Sequence, residues 1–296
     1  MIEKYYDGAI EQVAAGLGTV EKNYLLVRYS GQFSVENLND TKQLEKNEDI
    51  FVQVHEFETG EITCAYEPYL TMICDGFRRY MTGTFEEFME TCDVYYLHRP
   101  VLLGYFNQDN TGREEIILLD EVAYEQERML AALERMLCAI ADRHPVLFVL
   151  NRFQLASKST MQLTARFLKC ENCNIGLVLG VSDVQAMPEF LVPDWEMLYE
   201  TLDDGSKIYH IGNSGRKKEE TIDDEKYVDY GSEKVYRKLQ NMVEFLDFDQ
   251  AAYYLETIER KIKFDNLLVD DAARFRMWLL FVKVSILRQD IPKALE

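Results

Sequence analysis

Two short segments of the chain are apolar at every position, and they constrain the fold more than any other feature. They are residues 146–150 and 175–180. A strand without polar alternation is buried on both faces, which is typical of parallel sheets covered by helices on both sides. Amphipathic helical patterns separate these segments from each other and from further strand patterns. The sequence therefore predicts an α/β fold with a mainly parallel sheet.

Strand patterns occur at five places, and helical patterns lie between them. The predicted strands are residues 24–30, 50–57, 146–150, 175–180 and 207–211. The predicted helices of this part are residues 2–17, 66–80, 84–91, 121–143, 157–168 and 195–202. Thr84 and Glu87 have the spacing of a capping box at the start of one helix. We expect residues 1–215 to form a five-stranded, mainly parallel domain with helices on both faces.

The pattern changes after the fifth predicted strand. Residues 216–231 are charged and turn-rich and predict a linker, whereas residues 232–296 carry only helical patterns, at 235–246, 248–262 and 268–287. We expect the large aromatic residues of this region to lie in its core. These are Tyr253, Tyr254, Phe275, Trp278 and Phe281. Short polar turns followed by Ala-containing helices resemble the start of a tetratricopeptide-like array, which needs three or more repeats, so we expect the array to continue beyond residue 296.

Composition excludes several function classes. The net charge of −20 repels nucleic acid and anionic membrane surfaces, and no basic stripe with interleaved aromatic residues interrupts it. The apolar runs are too short to span a membrane, and the N-terminus lacks the pattern of a signal peptide. Six irregularly spaced cysteines indicate reduced thiols. We expect a cytoplasmic protein that binds neither nucleic acid nor membrane through this segment.

Polar residues follow the apolar segment 146–150 at a position that is chemically informative. Residues 146–160 read VLFVLNRFQLASKST, so Asn151 and Arg152 come directly after the predicted strand. In nucleotide hydrolases such a strand ends in acids that hold a magnesium-bound water and activate the attacking one. An amide lacks the negative charge that this hard cation prefers, and a guanidinium does not act as a base. The scaffold of such a site is present without its acids.

With these elements in this order, the chain resembles the ATPase domain of the STAND branch of AAA-related P-loop proteins. The family has a segment close to LQWADPST after its acidic strand. The positions of this chain that match its tail are Phe153, Gln154, Ala156, Ser159 and Thr160, whereas Leu155, Ser157 and Lys158 depart from it. An aromatic-proline stretch of the family corresponds to residues 66–69, YEPY. The resemblance implies a P-loop-like sheet, with the strand at 146–150 beside the first strand or one strand removed from it.

The resemblance places a phosphate loop, G-x-x-x-x-G-K-[ST], directly after the first strand. The corresponding residues 31–38 read GQFSVENL, so only Gly31 is retained. Glu36 replaces the second glycine, Asn37 the lysine and Leu38 the magnesium-binding hydroxyl. The lysine supplies positive charge to the β- and γ-phosphates, and Glu36 adds a negative charge instead. We therefore predict a degenerate nucleotide site at Gly31, Glu36, Asn37, Leu38, Asn151 and Arg152, with no catalytic residues, metal or cofactor.

This resemblance implies a non-catalytic regulatory or scaffold module of a multidomain bacterial signalling protein. Its partner would be another protein or its own C-terminal domain, such as a diguanylate cyclase or a DNA-binding regulator, and homo-oligomerisation stays open. The alternative is a nucleotide-binding switch or ATPase that binds ATP or ADP at a rebuilt phosphate site. That site would use Arg28, Arg152 or Lys158 in place of the lost lysine.

Cysteine and histidine provide two further candidate sites. Cys170 and Cys173 form a CxxC motif, but no second ligand pair accompanies it for zinc, so we expect two reduced cysteines near a surface turn, with a redox dithiol as the alternative. His55 lies in a predicted strand, and we expect an edge or packed histidine rather than a base. His98, His144 and His210 are interpreted as isolated.

Overall fold

A computed structural model shows that the chain forms a parallel α/β sheet and a C-terminal group of helices. The residues that it describes are 2–19, 23–30, 35, 49–58, 60–108, 121–170, 174–182, 187–203, 208–211, 229–264, 269–290 and 292. The strands are β1 (Asn23–Tyr29), β2 (Phe51–Glu56), β3 (Val146–Asn151), β4 (Ile175–Ser182) and β5 (Ile208–Ile211). Every pairing between them is parallel, so the predicted α/β class and parallel sheet are confirmed.

The strand order is β2-β3-β4-β1-β5. Four strands of six to eight residues form the body of the sheet, and the short β5, with four residues, pairs with β1 at the edge. A single strand, β4, lies between β1 and β3. Because all these strands are parallel, β1 and β3 end at the same edge of the sheet. This placement agrees with the strand arrangement that the P-loop resemblance implies.

Helices follow the strands as the sequence predicts, with one exception. They are α1 (Ile2–Gly16), α2 (Tyr69–Tyr80), α3 (Phe85–Thr91), α4 (Arg99–Asn107), α5 (Val122–Ala141), α6 (Lys158–Lys169), α7 (Val192–Asp203), α8 (Glu233–Glu244), α9 (Phe248–Phe264) and α10 (Asp271–Leu287). The predicted capping box of Thr84 and Glu87 is present at α3. The exception is α4, which the sequence analysis missed.

Two hydrophobic cores lie on opposite faces of the sheet, and successive residues of a strand contribute to different cores. On β3, Phe148 joins the larger core, which also contains residues of α2, α5 and α6. Leu147 and Val149 join the smaller core, which α1 covers. All six residues of β3 are buried. This two-sided burial explains why the strand is apolar at every position before its last residue, Asn151.

The C-terminal helices α8, α9 and α10 share a third core and also contact the α/β part. Ile62, which precedes α2, belongs to this third core, and Phe245, which follows α8, belongs to the larger core beside the sheet. The predicted helices of this region are therefore confirmed. Their interpretation as tetratricopeptide-like repeats stays a prediction, as do the domain boundaries. Most of the predicted linker lies outside the described residues.

Candidate functional site

The carboxyl ends of three strands bring polar residues together at one edge of the sheet. Tyr29 ends β1, Glu56 ends β2 and Asn151 ends β3, while Tyr6 approaches from α1. The Tyr29 hydroxyl donates a buried hydrogen bond of 2.7 Å to Oδ1 of Asn151. The ring of Tyr6 meets that of Tyr29 edge to face, with centroids 6.5 Å apart. We call Tyr6, Tyr29, Glu56, Asn151 and Arg152 the strand-end cluster.

Arg152 points back onto the neighbouring strand. Its backbone is left-handed, with φ 53° and ψ 41°, a conformation that costs a non-glycine residue about 1 kcal/mol. Its Nε lies 3.3 Å from Oε1 of Glu56, and both side chains are less than one-fifth exposed, at 18% and 16%. The other carboxylate oxygen of Glu56 accepts a hydrogen bond of 3.1 Å from the Val35 N–H. The acid at this edge therefore lies on β2 and is already engaged by a cation and a backbone donor.

The two tyrosines of the strand-end cluster stay protonated at neutral pH. Burial raises the pKa of Tyr29 to about 12, although the charge of Arg152 works in the opposite direction. Burial also raises the pKa of Tyr6 well above its usual value, and Tyr29 and Glu56 add to the shift. Because a neutral phenol is a hydrogen-bond donor and a poor base, these residues are suited to holding polar partners and not to activating water.

The strand-end cluster fills the space above β4. A side chain at Gly180 would place its Cβ 2.2 Å from the Tyr6 hydroxyl and 2.6 Å from Oδ1 of Asn151. Both distances are far below van der Waals contact, so only glycine allows Tyr6 and Asn151 to approach β4 this closely. The described part of this edge is therefore packed, with polar atoms directed at one another.

The structure describes two of the six predicted site residues. Asn151 and Arg152 are at the expected edge. The four phosphate-loop positions, Gly31, Glu36, Asn37 and Leu38, lie outside the described residues, so their role stays a prediction.

The alternative hypothesis, a rebuilt phosphate site, uses one of three cations, and each of these has a different partner in the structure. Arg152 pairs with Glu56, whereas Lys158 forms an ion pair with Asp249 of α9. Arg28 lies over the ring of Tyr199 on α7, 5.1 Å from its centroid. Each of these three cations therefore already contacts another side chain of the chain.

Residues of the segment that carries the family resemblance make structural contacts. The side chain of Gln154 bonds the backbone of Ser182, donating to its carbonyl over 3.1 Å and accepting from its N–H over 3.3 Å. The Ser159 N–H donates to Oδ2 of Asp247 over 3.1 Å, and the Lys158 N–H donates to Oε1 of Gln250 over 3.2 Å. The start of α6 therefore docks against the beginning of α9.

One buried polar group was missed by the sequence analysis. His98 is not isolated, because its Nε2 lies 3.1 Å from Oε2 of Glu125 and both side chains are buried. Arg128 lies one helical turn after Glu125, with Nη1 2.9 Å from Oε1 of that residue, and it stacks between Tyr95 and Tyr124. The sequence indicated this buried group in one way: Glu125 is an acid on the side of α5 that is otherwise apolar. Because His98 is fully buried, we interpret this group as structural.

The remaining histidine and cysteine predictions have mixed outcomes. His55 lies on the edge strand β2 and packs against Phe57, as expected, and burial lowers its pKa. Cys173 lies outside the described residues. Its CxxC partner Cys170 instead has Sγ 3.6 Å from Sγ of Cys138 on α5. The part of the chain that the structure describes contains no group of three or more His, Cys, Asp or Glu side chains placed to hold a metal.

The last helix exposes an apolar surface. Phe275 and Trp278 are 58% and 50% exposed, so the expectation that they lie in the core is wrong. Leu279 and Ile286 share this surface at 48% and 40% exposure, and these four residues define the outer face of α10. The opposite side of the same helix is buried through Met277, Leu280 and Val284. Because apolar residues occur on both the buried and the exposed side of α10, helical periodicity could not tell which aromatic residues would be covered.

Comparisons with known proteins do not assign the chain to a family. No protein-family model matches it, and no curated protein matches it at a significant level. The resemblance to P-loop ATPases therefore depends on the strand order and the motif positions alone. Within the described ranges, no helix combines the length and apolar character needed to cross a bilayer.

Proposed function

We propose that this chain is a non-catalytic, ATPase-like regulatory or scaffold module of a multidomain bacterial signalling protein that acts through protein–protein or interdomain contacts. The observation that carries the proposal is the strand-end cluster. Where a hydrolase needs acids, Asn151 accepts the Tyr29 hydroxyl and Arg152 pairs with Glu56. Both side chains that stand in place of the acids therefore already have partners within this chain.

The chemistry of this edge opposes magnesium-dependent phosphoryl transfer. Magnesium is bound through carboxylates and phosphate oxygens, and it keeps several of its waters. Glu56 is the register partner of Asn151 on β2, and Arg152 offsets the charge of that carboxylate. A guanidinium at this position also repels a divalent cation. The proposal therefore assigns the edge a structural role.

Nucleotide binding tests this proposal directly. Isothermal titration with ATP, ADP and GTP, each with and without magnesium, is expected to give no heat of binding in the micromolar range. Phosphate release from ATP is expected to equal that of a buffer blank. Micromolar binding that is lost in R152A would overturn the proposal and establish the alternative, a nucleotide-binding switch with a rebuilt site.

The contact surface of the module is proposed to be the outer face of α10. Besides its apolar residues, this helix carries three cations, Arg274, Arg276 and Lys283, and one acid, Asp271. Arg276 pairs with Glu233 of α8, so Arg274 and Lys283 supply the basic character of the surface. The whole chain, in contrast, has a net charge of −20. A local basic and apolar surface on an acidic protein favours an occupant of opposite charge. We propose an amphipathic acidic helix, from another protein or from the protein's own C-terminal domain, as that occupant.

A pair of designed peptides tests the contact surface. Both would be amphipathic helices with the same apolar stripe, one with glutamates and the other with lysines at the flanking positions. In the W195F variant, Trp278 is the single tryptophan and reports binding by its fluorescence. The acidic peptide is expected to bind and to lose at least about tenfold in affinity on F275A. Equal binding of both peptides, no binding at all, or self-association of the chain through this face would overturn the assignment.

A further inference from the structure

Two cysteines that are distant in sequence lie side by side on the surface of the α/β part. Cys138 is in the last turn of α5, and Cys170 directly follows α6. Their sulfur atoms are 3.6 Å apart, and both residues are half-buried. Both are therefore free thiols in contact, on residues that are partly exposed to solvent.

The helices that carry these cysteines are held together next to the pair. Arg166 of α6 donates a hydrogen bond of 2.7 Å to Glu134 of α5 and pairs with Glu127 of the same helix. Leu133 and Leu137 of α5 share the larger core with Leu163 and Phe167 of α6. The separation of the two sulfurs is thus set by packed helices and not by a mobile segment.

We propose that Cys138 and Cys170 form a reversible oxidation site that takes a low-molecular-weight disulfide, such as oxidised glutathione, as its oxidant. The proposal is independent of the function proposed above. A disulfide needs a sulfur–sulfur distance of about 2.0 Å, so the two sulfurs must approach each other by about 1.6 Å.

The reaction has two balanced exchange steps. The Cys170 thiolate attacks one sulfur of glutathione disulfide, the glutathione S–S bond breaks, and one glutathione thiolate leaves. The Cys138 thiolate then attacks the Cys170 sulfur of the mixed disulfide and releases the second glutathione. In total, the two protein thiols lose two electrons and two protons, and one glutathione disulfide becomes two glutathione thiols.

The order of the two steps follows from the surroundings of Cys138. Burial raises the pKa of its thiol well above the usual value, and the neighbouring Cys170 adds to the shift. A thiol that resists ionisation is a poor first nucleophile, because the thiolate is the attacking species. Once Cys170 carries glutathione, Cys138 lies next to the sulfur that it must attack, and proximity compensates for its low thiolate fraction.

Oxidation would connect the ends of two helices on one face of the sheet. The closed loop from Cys138 to Cys170 contains β3 with Asn151, and it contains Lys158, which pairs with Asp249 of α9. A cross-link around this loop limits the unfolded chain and so raises thermal stability. The modification would thereby stabilise the part of the sheet against which the C-terminal helices dock.

Peptide mapping without reduction tests the site. The full chain is equilibrated with defined ratios of oxidised to reduced glutathione, acid-quenched and digested. A Cys138–Cys170 disulfide is expected in the unmodified chain and equally in C173S, which removes only the CxxC partner. C138S and C170S are expected to lack it. The melting temperature is expected to rise by about 5 °C on oxidation and to fall again with dithiothreitol. C173S is expected to show the same rise and fall, and C138S is expected to show neither.

Three results would overturn the proposal. One is a Cys170–Cys173 disulfide as the main product in the unmodified chain. Another is a stable glutathione adduct on Cys170 that never resolves with Cys138. The third is a chain whose thiols remain unreacted when oxidised glutathione is in large excess. The mapping of the unmodified chain decides between these outcomes even if a serine variant folds poorly.

Discussion

Tyr29 on β1 and Asn151 on β3 are joined by a 2.7 Å hydrogen bond that passes over the intervening strand β4. Neighbouring strands in a sheet are about 4.8 Å apart, so side chains two strands apart meet only where the strand between them leaves room. Gly180 provides that room, since a Cβ at this position would lie 2.6 Å from the Asn151 oxygen. The hydrogen bond depends on three residues from three strands, and each is a testable part of the strand-end cluster.

Restoring the missing acid with N151D is expected to destabilise the protein and not to create an ATPase. Asn151 is fully buried and its register partner is Glu56, so a new carboxylate loses its hydration beside an existing negative charge. We expect the free energy of unfolding to fall by about 2 kcal/mol at pH 7 and by less at pH 5, where the new carboxyl is protonated. Urea unfolding at the two pH values measures the difference.

N151A serves as the control for this substitution. It removes the acceptor of the Tyr29 hydroxyl without adding a charge, so its loss of stability is expected to be the same at both pH values. Magnesium-dependent phosphate release by N151D would contradict the proposed function, because it would show that one acid is all that this edge lacks.

Adding one methyl group at Gly180 is expected to disrupt the strand-end cluster. In G180A the new Cβ would displace the Tyr6 hydroxyl, which lies 2.2 Å away, and the Asn151 oxygen. Overpacking of this kind typically costs about 1–3 kcal/mol, and urea unfolding measures it. Gly8 offers a matched control within α1, because a Cβ there meets nothing within 4 Å. We expect G8A to stabilise the protein by up to about 1 kcal/mol. Equal stability of G180A and the unmodified chain would show that the cluster is loosely packed.

Asp247 is expected to make stability depend on pH in an unusual direction. Burial raises the pKa of this carboxyl from its ordinary value of 3.8 to about 6, although the Ser159 donor and the charge of Lys158 work against the shift. The folded protein then binds the proton more tightly than the unfolded chain does. The stabilisation is present at about pH 4 and is lost as the pH rises through about 6. Its full size is roughly 3 kcal/mol.

Two substitutions separate this effect from the general titration of the protein. D247N retains an acceptor for Ser159 without a charge, so relative to the unmodified chain it should gain stability between pH 4 and pH 7. Asp249 is the opposite case. Burial disfavours its charge, but the hydrogen bond and charge of Lys158 outweigh this and lower its pKa. D249N should therefore lose relative stability as the pH rises towards about 4, where the unfolded chain still binds this proton and the folded protein does not, and should stay level between pH 4 and pH 7. A gain in D249N between pH 4 and pH 7 as large as that in D247N would refute both assignments.

The elements that the sequence predicted well are those whose environment is uniform along their length. β3 and β4 are buried on both faces, so every position before the last residue of each strand is apolar, and α5 has one buried side that repeats at helical spacing. The missed helix α4 contains Pro100 and Gly104, which mark a turn when they are read alone. Pro100 lies in the first turn of α4, where a missing N–H costs nothing.

The candidate site was predictable in position but not in partners. Asn151 and Arg152 could be placed at a strand end because the strand before them is distinct. The groups that they contact, Tyr29 and Glu56, come from strands far away in the sequence, and only the strand order brings them together. Pairings that depend on topology leave no local pattern, which is also why the contact between Cys138 and Cys170 was not predicted.

Two adjacent residues of α10 provide a last test, because one is buried and the other is exposed. Met277 is 5% exposed in the core of the C-terminal helices, whereas Trp278 is 50% exposed on the outer face. M277A leaves a cavity and is expected to cost about 2–4 kcal/mol of stability, whereas W278A is expected to cost less than about 1 kcal/mol. Binding of the acidic helical peptide should show the reverse order, with W278A weakened and M277A, measured where it is folded, nearly unchanged. A large stability loss in W278A would mean that this side of α10 is covered within the chain itself, and the outer face would then not be a contact surface.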